Sequence, residues 1–213
     1  MKTVRPPAWS LLTLLLLTAC VPVSDNHENL PDDSSSGLVT ILILNFTPAT
    51  GGDPLSFSWT APEGDGEAVV DPIPLPDRTD HNHHDTQAYT LDVELWNDEG
   101  DPALADIEDA ADEFQLFFTG SAVEGPATGP NSEAVIVHEY DDSDSTGLPV
   151  GLENTVETLA WGSGLLTVTL QHMPPQDGDS VKVAALAEDV ARDGFDAIGG
   201  ESALQVSFEI EVE

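Results

Sequence analysis

Three of the chain's six histidines fall within four positions, in the segment His81-Asn82-His83-His84-Asp85, and Asp77 and Asp80 precede them. Neutral imidazole ligates zinc, copper and nickel, and carboxylates complete such shells. In extended backbone His81 and His83 point to one side and His84 to the other, so one ion takes the first two directly. His84 or Asp85 joins them only where the chain turns. The acids around them raise the local concentration of cations. The segment is therefore a candidate zinc site, with a solvated polar loop between strands as the plain alternative.

Two further histidines have the right chemistry in less telling settings. His172 extends the apolar face of Leu166, Val168 and Leu170 to the end of a strand, where it is either a ligand or a hydrogen-bonded rim residue. His138 sits mid-strand beside Glu139 and Tyr140. A third pattern is oxygen-rich. Counted from Asp142, oxygen-bearing side chains fall at positions 1, 3 and 5 (Asp142, Asp144, Thr146), glycine at 6 (Gly147) and glutamate at 12 (Glu153). That is the spacing of a calcium loop, although a strand precedes it and no helical pattern flanks it. Zinc is thus the favoured ion and calcium the less favoured one. Nucleophilic catalysis has no such footing: no G-x-S-x-G or H-E-x-x-H segment occurs, and the single cysteine lies at position 20. The expectation is a protein without enzymatic activity.

These residues are carried by a chain of 213 residues and formal net charge −35. Such a surface repels nucleic acid, whose binding rests on Lys and Arg contacts to phosphate, so nucleic acid is excluded as a partner. Self-repulsion on this scale is offset by salt or by bound cations; adaptation to saline surroundings and cation binding both account for it.

The first 20 residues give an address. Lys2 and Arg5 precede the apolar run Leu11-Leu12-Thr13-Leu14-Leu15-Leu16-Leu17, and Leu17-Thr18-Ala19-Cys20 closes it. The run is too short to span a bilayer, which takes about 20 apolar residues, and has the form of a secretory signal. Its ending resembles the lipobox of bacterial lipoproteins. That resemblance implies cleavage after residue 19, a diacylglycerol on the Cys20 sulfur and a fatty acyl chain such as palmitate on its amino group. Several chains anchor a protein stably where one alone does not. Val21 in place of aspartate implies the outer membrane, with the periplasmic and surface faces both open. After cleavage, Arg78, Lys182 and Arg192 are the only bases set against 40 acids.

Residues 20–37 lack apolar periodicity and read as a lipidated cysteine followed by a disordered tether, spanning roughly 20–25 Å. From 38 to 213 strand signals dominate. Tyr89, Leu91, Val93 and Leu95 alternate with polar residues, as do Leu166, Val168 and Leu170, and Val206, Phe208, Ile210 and Val212. Strands are also expected over 38–47, 55–59, 114–119 and 134–140. Asp101-Pro102 suits a helix start and predicts a short helix to about Asp112. Val183, Leu186, Ala187 and Val190 predict a second from Ser180 to Arg192, stopped by Gly194. The fold class is mainly β: an antiparallel, immunoglobulin-like β-sandwich of about seven to nine strands with one or two short helices.

Several segments resemble small bacterial envelope lipoproteins labelled "type 1 periplasmic binding fold" proteins. They are Phe46-Thr47-Pro48 with Gly51-Gly52-Asp53-Pro54-Leu55-Ser56-Phe57-Ser58-Trp59, then Glu113-Phe114-Gln115-Leu116-Phe117-Phe118, then Gly147-Leu148-Pro149-Val150-Gly151-Leu152. Gly164-Leu165-Leu166-Thr167-Val168-Thr169-Leu170-Gln171-His172 and Gly199-Gly200-Glu201 leading to Val206-Ser207-Phe208 complete the set. The label implies an α/β solute-binding fold, against the strand pattern read here. It also implies an envelope protein without an assigned reaction, linked to nutrient or metal uptake. Family members tend to carry histidine before the Gln-aromatic run, where this chain has Phe114.

The functional expectation is an outer-membrane-anchored lipoprotein that binds a divalent metal through His81, His83, His84, Asp85 and His172, or assists an outer-membrane receptor or transporter in its uptake. The rival expectation is a structural or adhesive surface module with no small ligand.

Overall fold

The computed structural model describes residues 39–61, 68–76, 86–97 and 100–213, and these all belong to the unit Ser34–Glu213. In chain order the elements are β1 (Ile41–Pro48), β2 (Leu55–Thr60), β3 (Val69–Val70), β4 (Ile73–Leu75), β5 (Ala88–Trp96), α1 (Leu104–Asp109), β6 (Phe114–Thr119), β7 (Val123–Glu124), β8 (Ile136–Tyr140), β9 (Glu153–Thr158), β10 (Gly162–His172), α2 (Leu186–Asp193) and β11 (Glu201–Val212).

Alternation dictates the facing of the long strands. In β11 the side chains of Leu204, Val206, Phe208, Ile210 and Val212 are buried, while Gln205, Ser207, Glu209 and Glu211 face water. A slip of one residue would bury both glutamates, so the register is firmly specified. β1 buries Leu42, Leu44 and Phe46, and β5 buries Tyr89, Leu91, Val93 and Leu95, on the same principle. Two sheets result, one of seven strands in the order β3-β2-β1-β5-β9-β8-β7 and one of four in the order β4-β11-β10-β6. Their buried faces form one core, with Phe46, Tyr89, Leu116, Phe118 and Phe208 among its members. Each large apolar side chain so enclosed contributes roughly 1.5–3 kcal/mol.

The chain is thus a mainly β, two-sheet sandwich rather than the α/β layering that the resemblance implies. Most strand pairs are antiparallel, but β4 runs parallel to β11 and β7 parallel to β8. These short edge strands raise the number above the long runs that alternation alone reveals. Both helices are shorter than expected. Pro102 is drawn into a bridge with Trp96, so α1 begins only at Leu104. α2 begins at Leu186 rather than Ser180, because Lys182 is pulled into the interior before the helix starts.

β6 is buried on both sides. Phe114, Leu116 and Phe118 enter the main core, while Phe117 joins a second cluster with Ala127, Met173, Leu186 and Val190. α2 therefore covers one end of the outer face of the four-stranded sheet. Among the described residues no helix is long and apolar enough to cross a membrane.

Candidate functional site

His81, His83, His84 and Asp85 lie outside the described residues, as do Asp77, Asp80 and Cys20. What flanks the histidine segment is described in full. On one side Pro76 follows β4, and its carbonyl accepts a 2.7 Å hydrogen bond from the Tyr89 hydroxyl. On the other, Gln87 N donates to Thr158 Oγ1 at 2.8 Å, Thr158 N donates to the Gln87 carbonyl at 2.9 Å, and Thr86 donates to the Glu157 carboxylate. Leu75 pairs with Val212, which pairs with Gly162, four residues after Thr158 in the next strand. Both roots of the segment therefore stand at the Gly162 end of the sandwich. One belongs to the four-stranded sheet and the other to the seven-stranded sheet.

His172 closes the other end of the same strand, ten residues beyond Gly162, roughly 33 Å away at strand rise. His172 stands at that far end, and the histidine segment with which it was grouped lies outside the described residues. Its ring stacks on Phe114, centroids 4.5 Å apart at 14°, and Nε2 lies 3.6 Å from the Glu113 carboxylate. Phe114 thus covers one face of the ring, while of the two in-plane nitrogens Nε2 faces Glu113 and Nδ1 is buried without a hydrogen-bond partner.

The calcium-like spacing folds into something else. Asp142 Oδ1 accepts from the backbone N–H groups of Gly151 (2.7 Å) and Val150 (3.3 Å). Its Oδ2 accepts from Leu152 (2.7 Å) and Glu153 (3.3 Å). Asp144 Oδ1 accepts from Thr146 N, Thr146 Oγ1 and Leu148 N at 2.8, 2.7 and 3.0 Å. Its Oδ2 pairs with Lys182 Nζ at 2.8 Å, and that ammonium also donates to the Ala111 carbonyl at 2.7 Å. Burial opposes ionisation of Asp144, yet the ammonium and the amide donors outweigh it and hold the carboxyl well below the usual carboxylate range. Both carboxylates are met by donors of the protein itself, backbone amides at Asp142 and amides with the Lys182 ammonium at Asp144. Among the described residues no three His, Cys, Asp or Glu side chains are gathered as a metal site requires.

His138 is a further titratable group that the fold encloses, 1% exposed on β8. Asn154 Nδ2 donates to Gly151 O at 2.9 Å, which leaves its Oδ1 as an acceptor for His138 Nε2 at 3.0 Å. The proton therefore sits on Nε2, and Nδ1 is a bare lone pair without a partner. Phe118 and Tyr140 enclose the ring at centroid distances of 4.3 and 4.7 Å. Burial lowers the imidazole pKa to about 4, against the opposing pull of Asn154, Asp141 and Asp142. Sequence reasoning located His138 but not its role. The Lys182 pair left no signal either, since its partners lie 38 and 71 positions away.

A shallow groove of about 470 Å³ lies on the outer face of the four-stranded sheet at its Gly162 end. Ile73, Pro74, Leu165, Glu209 and Glu211 are among the residues lining it. Beside that end, Leu159 and Trp161 are 44% and 63% exposed in the turn between β9 and β10. No protein-family model, curated protein or solved structure matches the chain.

Proposed function

We propose that the chain is a lipid-anchored protein of the bacterial outer membrane that captures a divalent cation, zinc in preference to calcium, without catalysing a reaction. The observation that carries this reading is the fixed base of the histidine segment. Its two roots are tied into different sheets by the Tyr89–Pro76 and Gln87–Thr158 hydrogen bonds. A ligand set held on such roots loses less conformational entropy on binding than one on a free tail. His81, His83 and His84 supply borderline-soft nitrogen, and Asp85 supplies a carboxylate. The acidic surface raises the cation concentration around them. The tether of residues 20–37 lets the domain reach a receptor or transporter in the same membrane.

Two experiments test this. Metabolic labelling with radioactive palmitate follows the anchor: label on the wild-type chain and none on Cys20→Ala supports it, and label on neither contradicts it. Zinc added to the chain, with histidine ring resonances as the readout, follows capture. Selective shifts of the rings lost in His81→Ala/His83→Ala/His84→Ala support the reading; uniform or absent shifts contradict it.

A structural or adhesive module is the second reading, and a specific feature favours it. Leu159 and Trp161 present apolar surface at a turn tip, where a contact partner would meet it. Under that reading the triple histidine variant is silent, and Trp161→Ala weakens attachment of cells or vesicles bearing the protein.

A further inference from the structure

Between β6 and β8 the chain crosses from the edge of one sheet to the edge of the other, and this crossing, residues 120–135, closes one side of the sandwich. It is tied at both ends. Ala122 N donates to Leu165 O at 3.0 Å, and the Ala122 carbonyl accepts from Val135 N and Ile136 N at 2.9 and 3.0 Å. Asn131 Nδ2 donates to the carbonyls of Ser121 and Val123, both at 3.0 Å, which staples the strap across its middle. β7, two residues long, is its only ladder with β8.

Gly125 lies directly over His138. A Cβ built on it would stand 3.0 Å from the His138 carbonyl oxygen and 3.4 Å from Nδ1. The strap thus seals the bare nitrogen from water. We propose that this strap is an acid-released closure and that protonation of His138 is what releases it.

The chemistry is one proton. In the closed state Nε2–H donates to Asn154, and Nδ1 needs no hydrogen because nothing there accepts one. Adding a proton at Nδ1 creates a buried donor and a buried charge together, and both demand a partner. β6 presents Phe118, β8 itself Tyr140, β9 the committed Asn154 and the strap the Gly125 backbone. The charges that act on the ring are Asp141 and Asp142, and Asp142 is already surrounded by amide donors. Water is the remaining acceptor, and the strap is what stands between it and Nδ1. Lifting it hydrates the imidazolium and frees the edges of β6 and β8. The rest of the sandwich, held by β10 and β11, stays closed.

Amide hydrogen exchange on the full chain, followed by mass spectrometry and corrected for intrinsic rates, tests this. From about pH 6.5 to about pH 4.5 the opening equilibrium of the strap should rise on the order of 40-fold, the ratio set by an imidazole that titrates normally when open and near 4 when closed. Amides of 122–136 should lose protection while those of β10 and β11 keep theirs. His138→Gln, which has an amide donor for Asn154 and does not titrate, should abolish the change. Unchanged strap protection in the wild type would overturn the proposal, as would loss of strap and core protection together. Should His138→Gln fail to fold, the His138 ring resonance of the wild type serves instead. Its titration in step with the strap amides supports the trigger, and titration without them contradicts it.

Discussion

Lys182 and Asp144 meet in the interior, Nζ 2.8 Å from Oδ2, with side chains 1% and 0% exposed. The chain has five basic residues against 40 acids, and it commits one of them to this pair. The pair joins three segments, because Nζ also holds the Ala111 carbonyl ahead of β6, and Asp144 organises the turn after β8. Removing one partner strands the other, which is where the cost lies. Lys182→Met should destabilise the fold by about 3–5 kcal/mol, and adding Asp144→Asn should recover part of that. Urea unfolding of the two variants decides it: a loss below about 1 kcal/mol for the single variant would contradict the role assigned to the pair.

Stability should fall in two stages as pH drops. His138 keeps a folded-state pKa of about 4 against its ordinary 6.5. Between those values the unfolded chain takes up a proton that the fold refuses. Stability therefore declines as pH falls from 6.5 to 4, by about 3 kcal/mol in all. Asp144 acts lower down. Its carboxyl is held below the ordinary carboxylate range, so its contribution is complete above that range and is lost only as pH falls beneath it. Thermal unfolding across pH should show both stages in the wild type. His138→Phe should flatten the upper stage alone.

Asp142 gathers four backbone N–H groups, from Val150 to Glu153, on one carboxylate. Asp142→Ala should cost about 2–3 kcal/mol by leaving those donors without their acceptor. Calcium titrated into the wild type should neither bind at this turn nor raise its melting temperature. A calcium-dependent rise lost in Asp142→Ala would contradict the assignment of these oxygens to amides.

Gly120 opens the strap with φ +110°, and a Cβ there would stand 2.2 Å from the Leu165 carbonyl oxygen. Gly129, with φ +66°, has open space around it. Gly129→Ala should cost about 1–2 kcal/mol from backbone conformation alone. Gly120→Ala adds a collision with backbone and should exceed that, at roughly 3 kcal/mol or more. Equal losses in the two variants, measured by thermal unfolding, would show that the close approach at Gly120 is relieved cheaply.

What the sequence made legible follows the physics of its patterns. β5, β10 and β11 were plain because polar and apolar residues alternate with the pleat; β5 and β11 bury one face, and β10 also buries Thr169 and Gln171 on its other face. β6 was legible as a strand but not as a doubly buried one, since an aromatic run does not say that α2 covers Phe117. β4 and β7 are two or three residues long, and their parallel pairing depends on distant partners. The second helix was placed too early because its spacing includes Val183, whereas the ion pair of Lys182 governs that stretch. Asp142 and Asp144 misled in a similar way. Calcium loops and amide-capped turns use the same side chains, and only the donors around them tell the two apart. His172 continued its apolar face as read, but its stacking on Phe114 from the neighbouring strand is a property of the sheet.

The central claim is cation capture by the histidine segment, and calorimetric titration of zinc into the chain carrying Cys20→Ser, at fixed ionic strength, tests it most directly. The account predicts saturable binding at micromolar or tighter affinity, lost in His81→Ala/His83→Ala/His84→Ala with unchanged thermal unfolding and retained in His172→Ala. Absence of binding heat, or binding that survives the triple substitution, would contradict it.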